Sequence, residues 1–281
     1  RVGDLVWAAG DSKAKGFMLG ATAGRTTLNG EGLQHQDGHS HIHASTVPTL
    51  AAYDPAFAYE VAVIIEEGMR RMYERGEDIF YYLTLYNENY PMPAMPEGAR
   101  PGILRGLYKF RPGPEGKAFK AHIFGSGPLM REALRAQEIL AAYNVSADVW
   151  SAPRYKLLRT DALAVERWNM LYPTVEPRKS YLETILRPER GVFVAVSDYM
   201  KMVPDQIAPW VPGGLTTLGT DGYGHSDTRS VLRRFFEVDA ELTAVATLHA
   251  LHKKGALSGQ AVQTAIADLG VDPDKAYPHC I

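Results

Sequence analysis

The sequence predicts an α/β fold made of two consecutive domains. The main indication is a continuous apolar run at residues 79–85 (IFYYLTL), which is typical of a strand buried on both faces of a parallel sheet. Around this run, short apolar stretches alternate with segments whose apolar residues recur at helical spacing. A proline- and glycine-rich break at residues 111–116 (RPGPEG) divides the pattern. We therefore predict one domain at residues 1–112 and a second at residues 113–281.

The first domain is expected to alternate short strands with helices. Its predicted elements are, in order, a helix at residues 2–9, strands at 17–21 and 46–53, a helix beginning at 54–55, the strand at 79–85 and a loop at 86–102. The strand at 17–21 should be buried, because it is short, apolar and bounded by glycine. Asp54 can act as the N-cap of the second helix, and Pro55 suits its first position.

The second domain is expected to repeat the alternation of strands and helices. Its predicted strands are 118–124, 147–151, 192–196 and 216–219, and its predicted helices are 128–143, 166–171, 180–186, 199–207, 229–235, 241–252 and 259–269. Ser126 can cap the first of these helices. Residues 219–227 (GTDGYGHSD) resemble a phosphate loop, but no lysine follows them. We therefore predict a turn in which Ser226 or Asp227 caps the next helix.

The composition excludes several classes of protein. The chain has 281 residues, of which 46% are hydrophobic and 22% charged, as in globular proteins with one large or two medium cores. Its net charge of −2 gives no reason to expect nucleic acid as a partner. No apolar run approaches the roughly 20 residues needed to span a membrane. The single cysteine, Cys280, fits a reducing compartment, so we expect a cytoplasmic protein.

The segment at residues 24–43 (GRTTLNGEGLQHQDGHSHIH) contains four histidines and four glycines, and the glycines predict a loop. His39, His41 and His43 alternate, so they would share one face of an extended segment. Three interpretations stay open: a solvated polar loop, a metal site, or an organic active site in which histidines bind substrate or move protons. In parallel sheets such sites gather at the carboxyl ends of strands, where Asn87 and Glu88 are also expected.

The same segment resembles the active-site loop of the homodimeric first component of the pyruvate dehydrogenase complex, in the transketolase superfamily. The resemblance continues in chain order through YDPAFAYEVAVI, TLYNENYPMPAMPEG, ERWNMLYP, SDYMK, LGTDGYGHSDTR and FEVDA. It implies that residues 1–112 form part of a pyrimidine-binding domain with a mainly parallel sheet. Residues 113–281 would then form a transketolase C-terminal-like domain, which in this family is mainly structural.

The resemblance also assigns site residues. The DGxxH pattern of the superfamily corresponds here to residues 37–41, which places His41 against the thiazolium-bound substrate. His39 is its close neighbour, and Asp37 completes the predicted catalytic group. Gln36 stands where family members are expected to carry glutamate. No metal ligand is predicted within the chain.

The activity implied by the resemblance is oxidative decarboxylation of pyruvate, the product of glycolysis, with acetyl transfer to the lipoyl groups of an acetyltransferase component. Thiamine diphosphate and Mg²⁺ are the implied cofactors, and a homodimer is the implied assembly. The family's metal and diphosphate motif begins GDG, which does not occur here. Its activating glutamate belongs to sequence that precedes Arg1. We therefore expect a fragment that is inactive alone and carries only the histidine side of the site.

Three alternatives to this activity remain. A related 2-oxo-acid dehydrogenase or a transketolase-like enzyme would use the same cofactor on another substrate. A hydrolase with a histidine-bound metal would explain the histidines without thiamine. A non-catalytic docking module would need none of this chemistry.

Overall fold

The computed structural model describes residues 2–21 and 23–280. The strands are β1 (Phe17–Gly20), β2 (Leu50–Tyr53), β3 (Phe80–Thr84), β4 (Tyr108–Arg111), β5 (Phe119–Gly125), β6 (Val145–Ser151), β7 (Val192–Val196) and β8 (Leu215–Leu218). In the described residues they form a three-stranded sheet in the order β1-β3-β2 and a five-stranded sheet in the order β4-β6-β5-β7-β8. Every pairing is parallel except that of β4 with β6. The predicted α/β fold with mainly parallel sheets is confirmed.

Helices connect the strands and cover the sheets. They are α1 (Val2–Asp11), α2 (Ser40–Thr46), α3 (Ala58–Met69), α4 (Arg100–Arg105), α5 (Met130–Ala142), α6 (Tyr155–Leu171), α7 (Tyr181–Leu186), α8 (Met202–Asp205), α9 (Arg229–Phe235), α10 (Ala240–Lys253) and α11 (Gly259–Asp268). A π-helical turn, Arg70–Glu74, continues α3. No helix in the described part of the chain has both the length and the apolar character needed to cross a bilayer.

The first sheet is organised around β3. This strand pairs with β1 on one side and β2 on the other, and its side chains are mostly buried, as the apolar run predicted. The prediction that β1 is buried is wrong, because β1 lies at the edge of the sheet and Leu19 is 56% exposed. The apolar composition of β1 therefore did not indicate that the strand lies at the edge of the sheet.

The start of α3 differs from the prediction. Asp54 does not cap the helix, which begins at Ala58. The carboxylate of Asp54 instead accepts hydrogen bonds from hydroxyl groups of other elements, including Thr84 at 2.7 Å and Ser126 at 2.6 Å. Because the Ser126 hydroxyl is engaged there, the prediction that it caps α5 is also wrong, and α5 begins at Met130 after a 3₁₀ turn.

The second sheet is covered on both faces. Ala133 and Leu140 of α5 pack with Leu248 of α10 on one face. Leu158 of α6 and Leu182 of α7 lie in the cluster on the other face. One strand here was not predicted, and one helix is longer than predicted. The strand β4 has only four residues (YKFR), two of them cationic, and α6 begins well before residue 166.

A buried carboxylate joins α3 to the second sheet. Glu60 of α3 is fully buried and accepts hydrogen bonds from the amides of Ala56 (2.6 Å) and Phe57 (3.3 Å). It also accepts hydrogen bonds from the hydroxyls of Tyr108 in β4 (2.7 Å) and Ser151 in β6 (2.6 Å). Burial raises the pKa of the Glu60 carboxyl, and the hydrogen bonds from Ser151 and Tyr108 oppose that rise. Four donors from both halves of the chain thus depend on one acceptor group.

Replacing Glu60 by alanine is expected to lower the free energy of unfolding by about 3 kcal/mol or more, because buried donors lose their acceptor. Urea denaturation followed by circular dichroism measures the change. The matched control is Glu66→Ala in the same helix, where Glu66 is paired at the surface with Arg70 and Arg100. That control should cost much less, because solvent-exposed ion pairs contribute little to stability. Equal losses for the two variants would contradict the role of Glu60.

Candidate active site

The histidine-rich segment is a loop only as far as His39. A 3₁₀ turn at Leu33–His35 interrupts the loop, and α2 begins at Ser40. Asp37 explains the start of α2, because its Oδ1 accepts hydrogen bonds from the amides of His39 (3.0 Å) and Ser40 (2.9 Å). Its Oδ2 accepts a further one from the Ser40 hydroxyl. These bonds satisfy amides at the end of the helix that lack partners within it.

The helix separates the three alternating histidines. Positions two apart in a helix point to different sides, so the prediction that these side chains share one extended face is wrong. His41 is 6% exposed and points inward, whereas His39 and His43 are exposed. The rings of His39 and His43 meet edge to face, with centroids 5.4 Å apart.

The segment is anchored on the second sheet by Asp198, which lies just beyond the carboxyl end of β7 and is fully buried. Its Oδ1 accepts hydrogen bonds from the amide (2.8 Å) and hydroxyl (2.7 Å) of Thr26, and its Oδ2 accepts one from the Thr27 hydroxyl (2.6 Å). Gly24 lies so close to this group that an added Cβ would sit 2.2 Å from Oδ2 of Asp198. The glycine is therefore required for the contact.

The segment at residues 219–227 forms the other anchor. The buried guanidinium of Arg25 donates hydrogen bonds to the carbonyls of Thr220 and Gly222. The side chain of Gln36 accepts a hydrogen bond from the amide of His225 (2.7 Å) and donates one to the carbonyl of Leu28 (3.0 Å). An amide can do both at once and a carboxylate cannot, which explains glutamine at this position.

The predicted cap of α9 is wrong. The N-cap of α9 is Thr228, and no side chain caps the helix. The amide of Thr228 bonds to Oδ1 of Asp227, and the carbonyl of Asp227 accepts the amide of Gly30 at 3.2 Å. Residues 219–227 thus support the histidine-rich segment, a role that their own sequence did not reveal.

His41 lies where the carboxyl ends of β2 and β3 meet. Its Nε2 is 3.2 Å from the hydroxyl of Thr84, the last residue of β3. Its ring packs edge to face against Tyr199 at 4.7 Å and tilted against Tyr82 at 5.5 Å. Burial lowers the pKa of His41, and the charges of Asp54 and Asp37 oppose that change. The imidazole is therefore neutral at pH 7 and can accept or donate a proton.

A lysine from the second half of the chain holds the far end of α2. The ammonium of Lys156 donates hydrogen bonds to the carbonyls of Ala44 (3.1 Å), Leu50 (2.7 Å) and Val47. Burial lowers the pKa of Lys156 to about 8. Lys156, His41 and Asp54 line one cavity with a volume of about 10 Å³, which is about the space that one water molecule needs.

Asn87 and Glu88 contact different parts of the structure. The carbonyl of Asn87 accepts a hydrogen bond from Arg229 (3.2 Å), whose Nε also donates to the carbonyl of Thr27 (2.8 Å). Asn87 is thus linked to the histidine-rich segment. Glu88 forms ion pairs with Arg131 at 2.7 Å and with Arg233, so its charge contributes to the contact between the two sheets.

Neither the surroundings of His41 nor the one cluster of potential metal ligands in the described residues fits a Mg²⁺ and diphosphate site. Within residues 2–21 and 23–280, one group of three side chains brings potential metal ligands together: His122, Asp148 and Glu189. Lys109 already binds both carboxylates, at 2.8 and 2.7 Å. Nδ1 of His122 accepts a hydrogen bond from Trp150, and Nε2 contacts a backbone carbonyl. The group therefore has no free ligand set, and the cavity beside His41 is too small for a diphosphate.

Two family models match the chain. Residues 1–93 match the pyruvate dehydrogenase E1 component middle domain, and residues 106–239 match the transketolase-like C-terminal domain. Curated relatives named pyruvate dehydrogenase E1 component match over 99% of the chain. The one from Pseudomonas aeruginosa is 52% identical, and the one from Escherichia coli K12 is 50% identical. The chain spans about a third of the length of these relatives, 32% and 31% respectively.

Solved structures support the fold. A transketolase variant from Pichia stipitis aligns with a TM-score of 0.64 over 91% of this chain and 34% of its own, at 16% identity. Transketolase from Leishmania mexicana aligns with a TM-score of 0.62 over 83% of this chain and 30% of its own, at 15% identity. At such identities the likeness concerns the fold alone.

The buried anchor Asp198 predicts a pH dependence of stability. Burial raises the pKa of Asp198 to about 6 from its ordinary value of 3.8, although hydrogen bonds from Thr27 and Thr26 oppose the rise. Between these values the unfolded chain releases a proton that the folded chain keeps. The stability contributed by this group therefore falls as pH rises from about 4 to 6, by about 3 kcal/mol in total.

The Asp198→Asn variant isolates this effect, because asparagine does not titrate. Urea denaturation of both proteins from pH 4 to pH 7 should show the wild type losing stability relative to the variant. Parallel curves would show that the folded Asp198 carboxyl does not take up the proton.

Proposed function

The chain belongs to the pyruvate dehydrogenase E1 component family, with a middle domain followed by a transketolase-like C-terminal domain, and we propose that it forms the histidine-bearing part of such an enzyme. The reaction proposed for the whole enzyme is oxidative decarboxylation of pyruvate with transfer of the acetyl group to lipoyl groups. A sequence identity of about 50% over nearly the entire chain supports this assignment.

The observation that carries the proposal is the placement of His41. It is a neutral, buried imidazole at the carboxyl ends of β2 and β3, which is where parallel sheets present their reactive groups. We propose that His41 faces the substrate and accepts a proton from it or donates one to it. We assign Asp37 to the same site through its bonds to the start of α2, and His39 as the exposed neighbour at that end.

Thiamine diphosphate and Mg²⁺ are the proposed cofactors of the whole enzyme. When bound, thiamine diphosphate supplies the electron sink that decarboxylation of a 2-oxo acid requires. Because the described residues do not fit its anchoring groups, we propose that these come from parts of the enzyme that this chain does not contain. The relatives' greater length supports that view. The chain alone is then inactive.

The remaining assignments concern organisation. We propose that residues 1–112 and 113–281 form separate domains, that the enzyme is a homodimer working with a lipoyl-bearing acetyltransferase, and that it is cytoplasmic. The alternative is a related 2-oxo-acid dehydrogenase or a transketolase-like enzyme. In the described residues no observation favours the histidine-metal hydrolase, since His41 points inward while the rings of His39 and His43 lie together at the surface.

The chain alone should not bind its proposed cofactor. Isothermal titration of these 281 residues with thiamine diphosphate and Mg²⁺ is expected to give no heat of binding, because the cavity beside His41 holds a single water at most. A full-length relative serves as the positive control. Tight binding to the chain alone would overturn the proposal that the anchoring groups lie elsewhere.

In the whole enzyme, His41→Ala should reduce turnover on the order of 10²-fold or more, the usual contribution of a positioned acid or base. Acetylation of lipoyl groups with pyruvate as substrate measures the loss. The matched control is His43→Ala, which removes an exposed imidazole from the same helix and should leave turnover almost unchanged. If the two variants behave alike, the assignment of His41 fails.

A further inference from the structure

A chain of hydrogen bonds leads from His41 to a buried carboxylate. The hydroxyl of Thr84 lies 3.2 Å from Nε2 of His41 and 2.7 Å from Oδ1 of Asp54. All three side chains are buried, with exposed fractions of 6%, 0% and 4% for His41, Thr84 and Asp54. Thr84 ends β3 and Asp54 directly follows β2, so the parallel pairing of these strands sets the geometry.

The direction of these bonds follows from the number of protons. A carboxylate only accepts hydrogen bonds, so the single hydroxyl proton of Thr84 points to Asp54. The other acceptor near this hydroxyl, the carbonyl of Tyr53, is more distant at 3.3 Å. A lone pair of the Thr84 oxygen then faces Nε2 of His41. A neutral histidine carries one ring proton, and only a protonated Nε2 makes this contact attractive.

We propose that Asp54 and Thr84 are positioning residues that hold His41 in its Nε2–H tautomer, which leaves Nδ1 as the nitrogen that exchanges a proton with the substrate. The part about the substrate rests on the function proposed above. In that exchange Nδ1 accepts a proton and His41 becomes an imidazolium, while Nε2–H and the Thr84 hydroxyl keep their protons. Among the described residues, no hydrogen bond engages Nδ1.

Hydroxyl groups surround Asp54 and donate hydrogen bonds to both of its carboxylate oxygens. Oδ1 accepts the hydroxyl of Tyr86 in addition to Thr84, and Oδ2 accepts the hydroxyl of Ser126 at 2.6 Å. Hydrogen bonds from hydroxyl donors stabilise an ionised carboxylate. No ion pair joins Asp54 to a cation in the part of the chain that the structure describes. Its field therefore acts on His41 and favours the imidazolium that forms when Nδ1 takes a proton.

Among the described residues, no other side chain forms a hydrogen bond with the His41 ring. Tyr82 and Tyr199 present ring surfaces, and the hydroxyl of Tyr82 donates to Ser40 at 2.9 Å. Lys156 lines the same cavity, but its ammonium protons are bonded to three backbone carbonyls. Thr84 is thus the polar side chain in bonding contact with the ring.

Nitrogen NMR of the histidine-labelled chain tests the proposal directly, because it distinguishes a protonated ring nitrogen from a free one. In the wild-type chain at pH 7, His41 is expected to show one tautomer with the proton on Nε2. The exposed ring of His43 in the same helix serves as the internal reference. A proton on Nδ1 of His41 in the wild type would overturn the proposal, whatever the variants do.

Two substitutions at residue 84 separate the effect of the hydroxyl from that of the side chain's shape. Thr84→Val keeps the branched side chain and removes the hydroxyl, so His41 should lose its preference and populate both tautomers. Thr84→Ser restores the hydroxyl and should restore the single tautomer. Circular dichroism confirms that each variant is folded. An unchanged tautomer in a folded Thr84→Val variant would overturn the role of Thr84.

Asp54→Asn tests the carboxylate, since the amide can donate to Thr84 and turn its hydroxyl toward His41. The His41 proton should then move to Nδ1, and retention of the Nε2–H form would overturn the role of Asp54. These spectra need no cofactor. If they agree with expectation while His41→Ala retains full turnover in the whole enzyme, the proposed function fails and the tautomer assignment stands.

Discussion

The structure depends on one buried carboxylate that several elements share. Asp54 receives hydroxyl groups from the end of β3, from the residues that follow β3 and from the residues that follow β5. Its backbone amide donates to Pro153, and its carbonyl accepts the amide of Gly127. Because a buried charge is tolerated only when its oxygens are satisfied, the carboxyl ends of both sheets must stay in register around it. The position of His41 therefore depends on the hydrogen bonds around Asp54 as well as on α2.

The candidate site is therefore a product of both halves of the chain. The histidine-rich segment belongs to the first half, but Asp198 and the carbonyls after β8 hold it in place from the second half. Lys156 fixes the end of α2 in the same way. The described residues of the second half, to which we assign no catalytic role, thus position the groups of the first half.

Strands that are buried on both faces could be predicted from the sequence, because burial requires a run of apolar residues; β3, β5 and β7 are examples. The four-residue strand β4 could not, since its stability comes from pairing with β6. Predictions from neighbouring residues failed where a side chain bonds to residues that are distant in sequence. Asp54 was expected to cap a helix but accepts the hydroxyls of Thr84 and Ser126 instead. The helix at Ser40 was foreseeable from Asp37 three positions earlier, but the glycine content outweighed that signal. His41 was chosen as a candidate from its motif and stays a prediction, whereas no local pattern in the sequence marks Thr84.

Two of the cations that hold the candidate site, Arg25 and Lys156, bind main-chain oxygen atoms. Arg25 bonds to the carbonyls of Thr220 and Gly222, and Lys156 bonds to those of Ala44, Val47 and Leu50. Every amino acid carries such a carbonyl, so these contacts do not depend on the side chains of the accepting residues. The donors have no such freedom, because each contact disappears with the cationic side chain. Loss of either cation would therefore break this joint, whereas the five accepting residues are restricted for separate reasons, four by burial and Gly222 by its positive φ.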